Sequence, residues 1–113
     1  MNKLMRVSVR ILLFAGVLAL FSGSAIHADD SASVYKTKCA VCHAPDGSGN
    51  SVMGKKLGAK DLRSDEVQKK SDAELNGFIT NGVGKTMPAY KDKLTADQIK
   101  GLVAYIRELG KNK

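Results

Sequence analysis

Cys39-Ala40-Val41-Cys42-His43 is the stretch from which the rest of the chain can be read. Positions i, i+3 and i+4 share one side of a helix end, so both thiols and the imidazole address one object. C-x-x-C-H is the spacing of covalent c-type haem attachment. Cys39 and Cys42 are placed to form thioethers to the two vinyl groups of one porphyrin edge. His43 is then carried beneath the ring, where an imidazole nitrogen reaches the iron. A structural zinc site needs about four protein ligands, and beyond residue 28 the chain offers two Cys and one His. A thioredoxin-like redox pair needs a βαβ surround, and strand signals are weak along the whole chain.

One axial histidine leaves the second axial position to Met or another His. His27 falls in the N-terminal leader described below, so the choice is between Met53 and Met87. Methionine is more often core filler than ligand. Met87 differs because it stands in Asn81-Gly82-Val83-Gly84-Lys85-Thr86-Met87-Pro88. Glycines let the backbone approach a ring closely. Pro88 holds Met87 extended, so its side chain leaves a loop rather than a helix. Met87 is the expected sixth ligand and Met53 is expected to pack in the pocket. Lys60, Leu62, Phe78 and Tyr90 complete the expected haem pocket. Lys60 and Arg63 border the apolar Leu57 and Leu62 and are candidate partners for the haem propionates.

The chain has 113 residues, enough for one domain. Hydrophobic residues at 43% and charged residues at 26% exclude a disordered chain. Residues 1–28 hold no acid. Lys3, Arg6 and Arg10 precede eleven uncharged, mostly apolar residues at 11–21, and Ser22, Gly23, Ser24 and Ala25 follow. That is the layout of a secretory signal peptide ending at Ala28. An apolar run of eleven residues is short of the roughly 20 needed to span a bilayer. The expected organisation is a leader at 1–28 and one domain at 29–113, working in the periplasm as a monomer without stable membrane insertion.

The formal charge of +7 falls to +4 over 29–113, with Lys and Arg scattered and no aromatic interleaving. That pattern lacks the concentrated basic patch of a nucleic-acid binder and leaves an acidic protein partner as the fitting one. A domain of 85 residues lies near the lower limit for a self-sufficient core. Two cysteines three apart cannot crosslink it usefully, so a covalent cofactor is expected to complete the core.

Helix signals dominate. Thr95 and Gln98 have capping-box spacing, and Ile99, Leu102, Val103, Ile106 and Leu109 form one apolar stripe. The spacing predicts a helix over 96–109, stopped by Gly110. A second starts at Ser71, with Glu74 as its capping-box partner, turns Leu75, Phe78 and Ile79 inward, and ends at Asn81-Gly82. A third is predicted over 31–41, with Asp29 and Asp30 against the positive end of its dipole. A single turn is expected at Ser64. The segments 44–62 and 82–93 are expected as loops that need something to wrap around.

Three segments together, C-A-V-C-H at 39–43, K-T-M-P-A-Y at 85–90 and L-T-A-D-Q-I-K-G-L-V-A-Y-I-R-E-L at 94–109, resemble class I monohaem cytochromes c. The likeness is to small soluble bacterial members and algal photosynthetic carriers, and it covers 30–109. The resemblance implies an all-α cytochrome c fold: three main helices and long loops wrapped around one covalent haem c. It also implies that the N- and C-terminal helices cross, with Tyr35, Tyr105 and Leu102 at the crossing. Ser31 stands where the family often has glycine. Many members offer a proline carbonyl to the axial histidine's ring N–H. Here the prolines are Pro45, too near His43, and Pro88, so a carbonyl within 51–54 is the expected substitute.

His43 and Met87 together would fill both axial positions and leave no place for substrate or oxygen. The expected function is a one-electron carrier between a donor and an acceptor protein outside the cytoplasm, and not an enzyme. The alternative is a haem peroxidase or gas-binding protein with a labile Met87. No His or Arg stands in the Met87 loop to support cleavage of an oxygen–oxygen bond. Lys38, Lys55, Lys85 and Lys91 flank the haem segments in sequence and are the candidate docking cations.

Overall fold

The computed structural model describes residues 28–113, with side chains from Asp30 onward. The signal-peptide expectation falls on residues outside these, apart from Ala28. Among the described residues six helices follow in order: α1 Ala28–Lys38, α2 Ala40–His43, α3 Val52–Leu57, α4 Asp65–Gln68, α5 Asp72–Asn81 and α6 Ala96–Lys111. They include no strand, only an isolated bridge between Val83 and Met87. The fold is all-α.

Both predicted capping boxes form. The Ser71 hydroxyl accepts from Glu74 N–H, and the Glu74 carboxylate reaches back to Ser71 N–H. Thr95 and Gln98 do the same for α6. Ser64 caps α4 by accepting from Val67 N–H. Each such cap satisfies amides that helix geometry leaves orphaned, worth about 1 kcal/mol.

Three boundaries differ from the sequence reading. The predicted helix at 31–41 begins earlier and breaks at Cys39, where φ −114° departs from helical geometry. The chain redirects there, so that α1 packs on α6 while α2 packs on α3. The segment 44–62, read as loop, contains α3. Its cap Ser51 accepts from Gly54 N–H and lies 2.9 Å from the carbonyls of Val41 and Cys42, toward which its hydroxyl points. Gly110 does not stop α6, which runs on to Lys111. A Cβ at Gly110 would sit 2.5 to 2.8 Å from the side-chain amide of Gln68, so this glycine serves a close approach instead. Gln68 uses that approach to donate to the carbonyls of Leu62 (2.7 Å) and Ile106 (3.1 Å).

The predicted stripe of α6 is the floor of the core. Ile99, Leu102, Val103 and Ile106 are buried, and Leu109 packs at the edge. Tyr35 of α1 and Leu102 are the most deeply buried large side chains. The rings of Tyr35 and Tyr105 stand 4.9 Å apart, tilted by 41°. Ser31 is buried as well. On α5, Leu75 and Ile79 turn inward as predicted, but Phe78 is 37% exposed. Arg107 ties α6 to the α4–α5 corner through the carbonyls of Gln68 (3.0 Å) and Lys70 (2.6 Å) and the Asp72 carboxylate (3.0 Å).

Candidate haem site

His43 closes the single turn of α2. Its Nδ1 lies 3.0 Å from the Lys60 carbonyl oxygen. A carbonyl only accepts, so Nδ1 carries the proton and Nε2 keeps its lone pair for a metal. The expected acceptor within 51–54 is corrected to Lys60. The carbonyls of Ser51 and Gly54 are already engaged by Lys55 N–H and Ala59 N–H around α3. The Lys60 carbonyl is brought to the ring by its loop, which is pinned by Leu62 N–H to Gly47 O at 2.7 Å. Gly49 closes the same junction. Its N–H donates to His43 O at 2.7 Å, and a Cβ there would stand 2.7 Å from the Ala59 carbonyl.

Cys39 and Cys42 are both free and half-buried. Burial, and then the neighbouring Cys42, push the Cys39 thiol up to about 11. A thioredoxin-type thiol needs the opposite shift. Met87 is held by the bridge to Val83: Val83 N–H donates to Met87 O at 3.0 Å, and Met87 N–H donates to Val83 O at 3.2 Å. Gly82 makes that loop possible. Its φ is +74°, and a Cβ would lie 2.6 Å from Met87 O.

Cys39, His43 and Met87 line one cavity of about 180 Å³, open to solvent, with walls that are almost wholly apolar. Lys60, Leu62 and Phe78 line it too, whereas Cys42, Met53 and Tyr90 are absent from its lining. Met53 is 40% exposed on α3. Tyr90 donates its hydroxyl to Lys38 O at 3.1 Å, tying the methionine loop to the end of α1. Burial is the main cause raising the Tyr90 phenol, followed by the two cysteines. Lys60 pairs with Glu66 at 3.2 Å. Arg63 is engaged by Asp61 at 3.1 Å and does not line the cavity.

The sequence reading missed Val67, Lys70 and Val83 as cavity residues. Val83 lies between two loop glycines, a signal that could have marked it; Val67 comes from the single turn α4 and Lys70 from the link that follows it, and they carry none. Phe78 and Val83 are 37% and 46% exposed, large apolar surfaces facing a cavity with nothing to cover them. A flat apolar ring would cover both. Two thiols, an imidazole with a free Nε2 and a thioether sulfur are the donor chemistry such a ring needs. The residues present fit a haem.

Residues 27–106 match the family model described as cytochrome c oxidase, cbb3-type, subunit III. The CcoP subunit of the cbb3-type oxidase of Azospirillum brasilense is 34% identical over 93 residues, covering 81% of this chain and 32% of that protein. This chain thus spans about a third of the length of that relative, and 27% of the FixP subunit of Azorhizobium caulinodans. Cytochrome c6 of Bryopsis maxima is 38% identical over 80 residues, with 66% of this chain and 83% of that protein covered. Among solved structures, the KustC0563 c-type cytochrome superposes with a TM-score of 0.66 at 33% identity, covering 71% of this chain and 96% of that one.

Proposed function

Because this chain belongs to the cytochrome c family, as a domain of the cbb3-type subunit III kind, we propose that Cys39 and Cys42 hold its haem c through thioethers and that His43 and Met87 are the axial ligands. Proteins of this family carry one covalently attached haem c and serve as one-electron carriers. The observation that carries the ligand assignment is the convergence of Cys39, His43 and Met87 on one apolar cavity.

The haem supplies an iron that gains or loses one electron. The chain does the rest. The Lys60 carbonyl fixes the His43 ring in one tautomer and orientation. His43 and Met87 would together hold the iron, which would leave no open position for substrate. A thioether ligand favours the reduced iron. The apolar walls keep water off the ring and favour the same state.

The reading places the carrier outside the cytoplasm, where c-type haem is attached. Among the described residues no helix is long and apolar enough to cross a membrane. Its donor and acceptor are redox proteins with an acidic docking face. Lys38, Lys55, Lys85 and Lys91 are all exposed, and none forms an ion pair among the described residues.

The deciding experiment uses the oxidised and reduced holoprotein. Met87→Ala should abolish the weak sulfur-to-iron charge-transfer band, lower the potential and admit carbon monoxide at neutral pH. Met53→Ala should keep the band, and the reverse pattern would transfer the ligand to Met53. Acid-acetone should extract haem from Cys39→Ala with Cys42→Ala and not from the parent.

A further inference from the structure

Among the described residues Ala44 is the one non-glycine with a positive φ, 66° with ψ 159°. That region of backbone space is essentially reserved for glycine. Ala44 directly follows His43 and is buried to 3% exposure. It occupies the end of α2, where a residue with positive φ is normally glycine. Strain held beside a ligand needs neighbours that fix it, and these are present. Ala44 N–H donates to Ala40 O at 2.9 Å, and its carbonyl accepts from Gly47 N–H at 3.1 Å. The same carbonyl accepts the Tyr35 hydroxyl at 2.7 Å, a buried bond across nine residues.

Tyr35 is 2% exposed, its ring packed in the core that α1 shares with α6. Packing alone would be served by a phenylalanine. The hydroxyl meets the one carbonyl whose peptide is strained. We infer that Tyr35 is a positioning residue for His43: its hydroxyl holds Ala44 in this positive-φ conformation and so fixes the backbone that presents the imidazole. The ring is then steadied at two points, Nδ1 by the Lys60 carbonyl and the main chain by Tyr35 through Ala44. The inference rests on His43 being an axial ligand, as proposed above.

The test uses the full haem-loaded chain. Without the hydroxyl, Ala44 is free to relax toward negative φ and the His43 backbone turns with it. Tyr35→Phe should shift the g-values of the oxidised protein, which report axial-ligand orientation, and move the midpoint potential. Hydrogen exchange at the Gly47 amide should rise roughly tenfold, the effect of one lost hydrogen bond. Adding Ala44→Gly should restore the parental g-values, because glycine adopts this conformation without strain.

Unchanged g-values and potential in Tyr35→Phe, with only a lower melting temperature, would overturn the inference and leave Tyr35 a packing residue. So would a double variant no closer to the parent than Tyr35→Phe. If Tyr35→Phe yields no holoprotein, the double variant must yield it with parental g-values, and its failure has the same consequence. A parent whose spectra lack imidazole ligation would instead sink the ligand assignment, before any variant is compared.

Discussion

Replacing Gly54 by alanine tests how the cysteine-bearing turn is held. A Cβ at that position would collide with the carbonyl oxygens of Cys42 and Gly49 and stand 2.8 Å from the Ser51 hydroxyl. Two of these atoms are backbone and cannot swing aside. Relief requires α3 to move away from α2, which breaks the contact of Ser51 with the Val41 and Cys42 carbonyls. Overpacking costs about 1–3 kcal/mol and a lost hydrogen bond about 1 kcal/mol. Alanine's better helix propensity returns about 1 kcal/mol. The net is about 1–3 kcal/mol, and at roughly 4–8 °C per kcal/mol for a domain of this size the melting temperature should fall by about 4–24 °C. Two other glycines are controls. Gly58 has φ +70° and nothing within 4 Å of a built Cβ, so Gly58→Ala carries only the conformational cost, about 1–2 kcal/mol. Gly77 sits in α5 with open space around it, and Gly77→Ala should stabilise by about 0.5–1 kcal/mol. Thermal melts of the three holoproteins followed by circular dichroism give the order. If Gly54→Ala melts no lower than Gly58→Ala, the close packing of α3 on the Cys42 turn is wrong.

Two further outcomes are expected. The rate of electron transfer to an acidic redox protein should fall as salt rises, since exposed charges are screened beyond about 8–10 Å at physiological ionic strength. Lys85→Glu should lower it further with little change in potential, and stopped-flow rates flat in salt would exclude a basic docking face. Asp61 is held below the usual carboxylate range, chiefly by its hydrogen bond from Arg63. A lowered folded pKa gives stability that is present above the unfolded value of about 3.9 and is lost as pH falls through the folded one. Asp61→Asn should therefore flatten the acid limb of the stability curve below about pH 4, and an acid-unfolding titration with an unchanged slope would show the pair contributes nothing.

The legible parts of this molecule were those written locally. Capping boxes at Ser71 and Thr95 and the α6 stripe each need only a few consecutive residues, and the structure contains the elements they specify. Legibility failed where a residue's meaning depends on something distant. Gly110 looks like a stop until Gln68, 42 positions away, is seen against it. The turn of α3 hides among glycines whose conformations serve the Cys42 junction rather than a loop. The acceptor for the His43 ring could not be read, because any carbonyl can fill that role and only the path of the loop selects Lys60. Met53 and Met87 looked alike in composition; the loop glycines and Pro88 separated them, and Met87 alone of the two lines the cavity.

The contact between His43 and the Lys60 carbonyl has a consequence for how this site can vary. Every amino acid supplies a carbonyl, so the orienting group is indifferent to which side chain stands at position 60. Substitutions there can alter surface charge while the imidazole keeps its partner. Control over the imidazole has passed to places with no functional group at all, Gly49 and Gly54, where one added methyl would displace the loop segments that bring that carbonyl to the ring. A search for damaging changes confined to polar or ligating residues would overlook them. The positions least tolerant of change around this imidazole are those that contribute nothing to it except room.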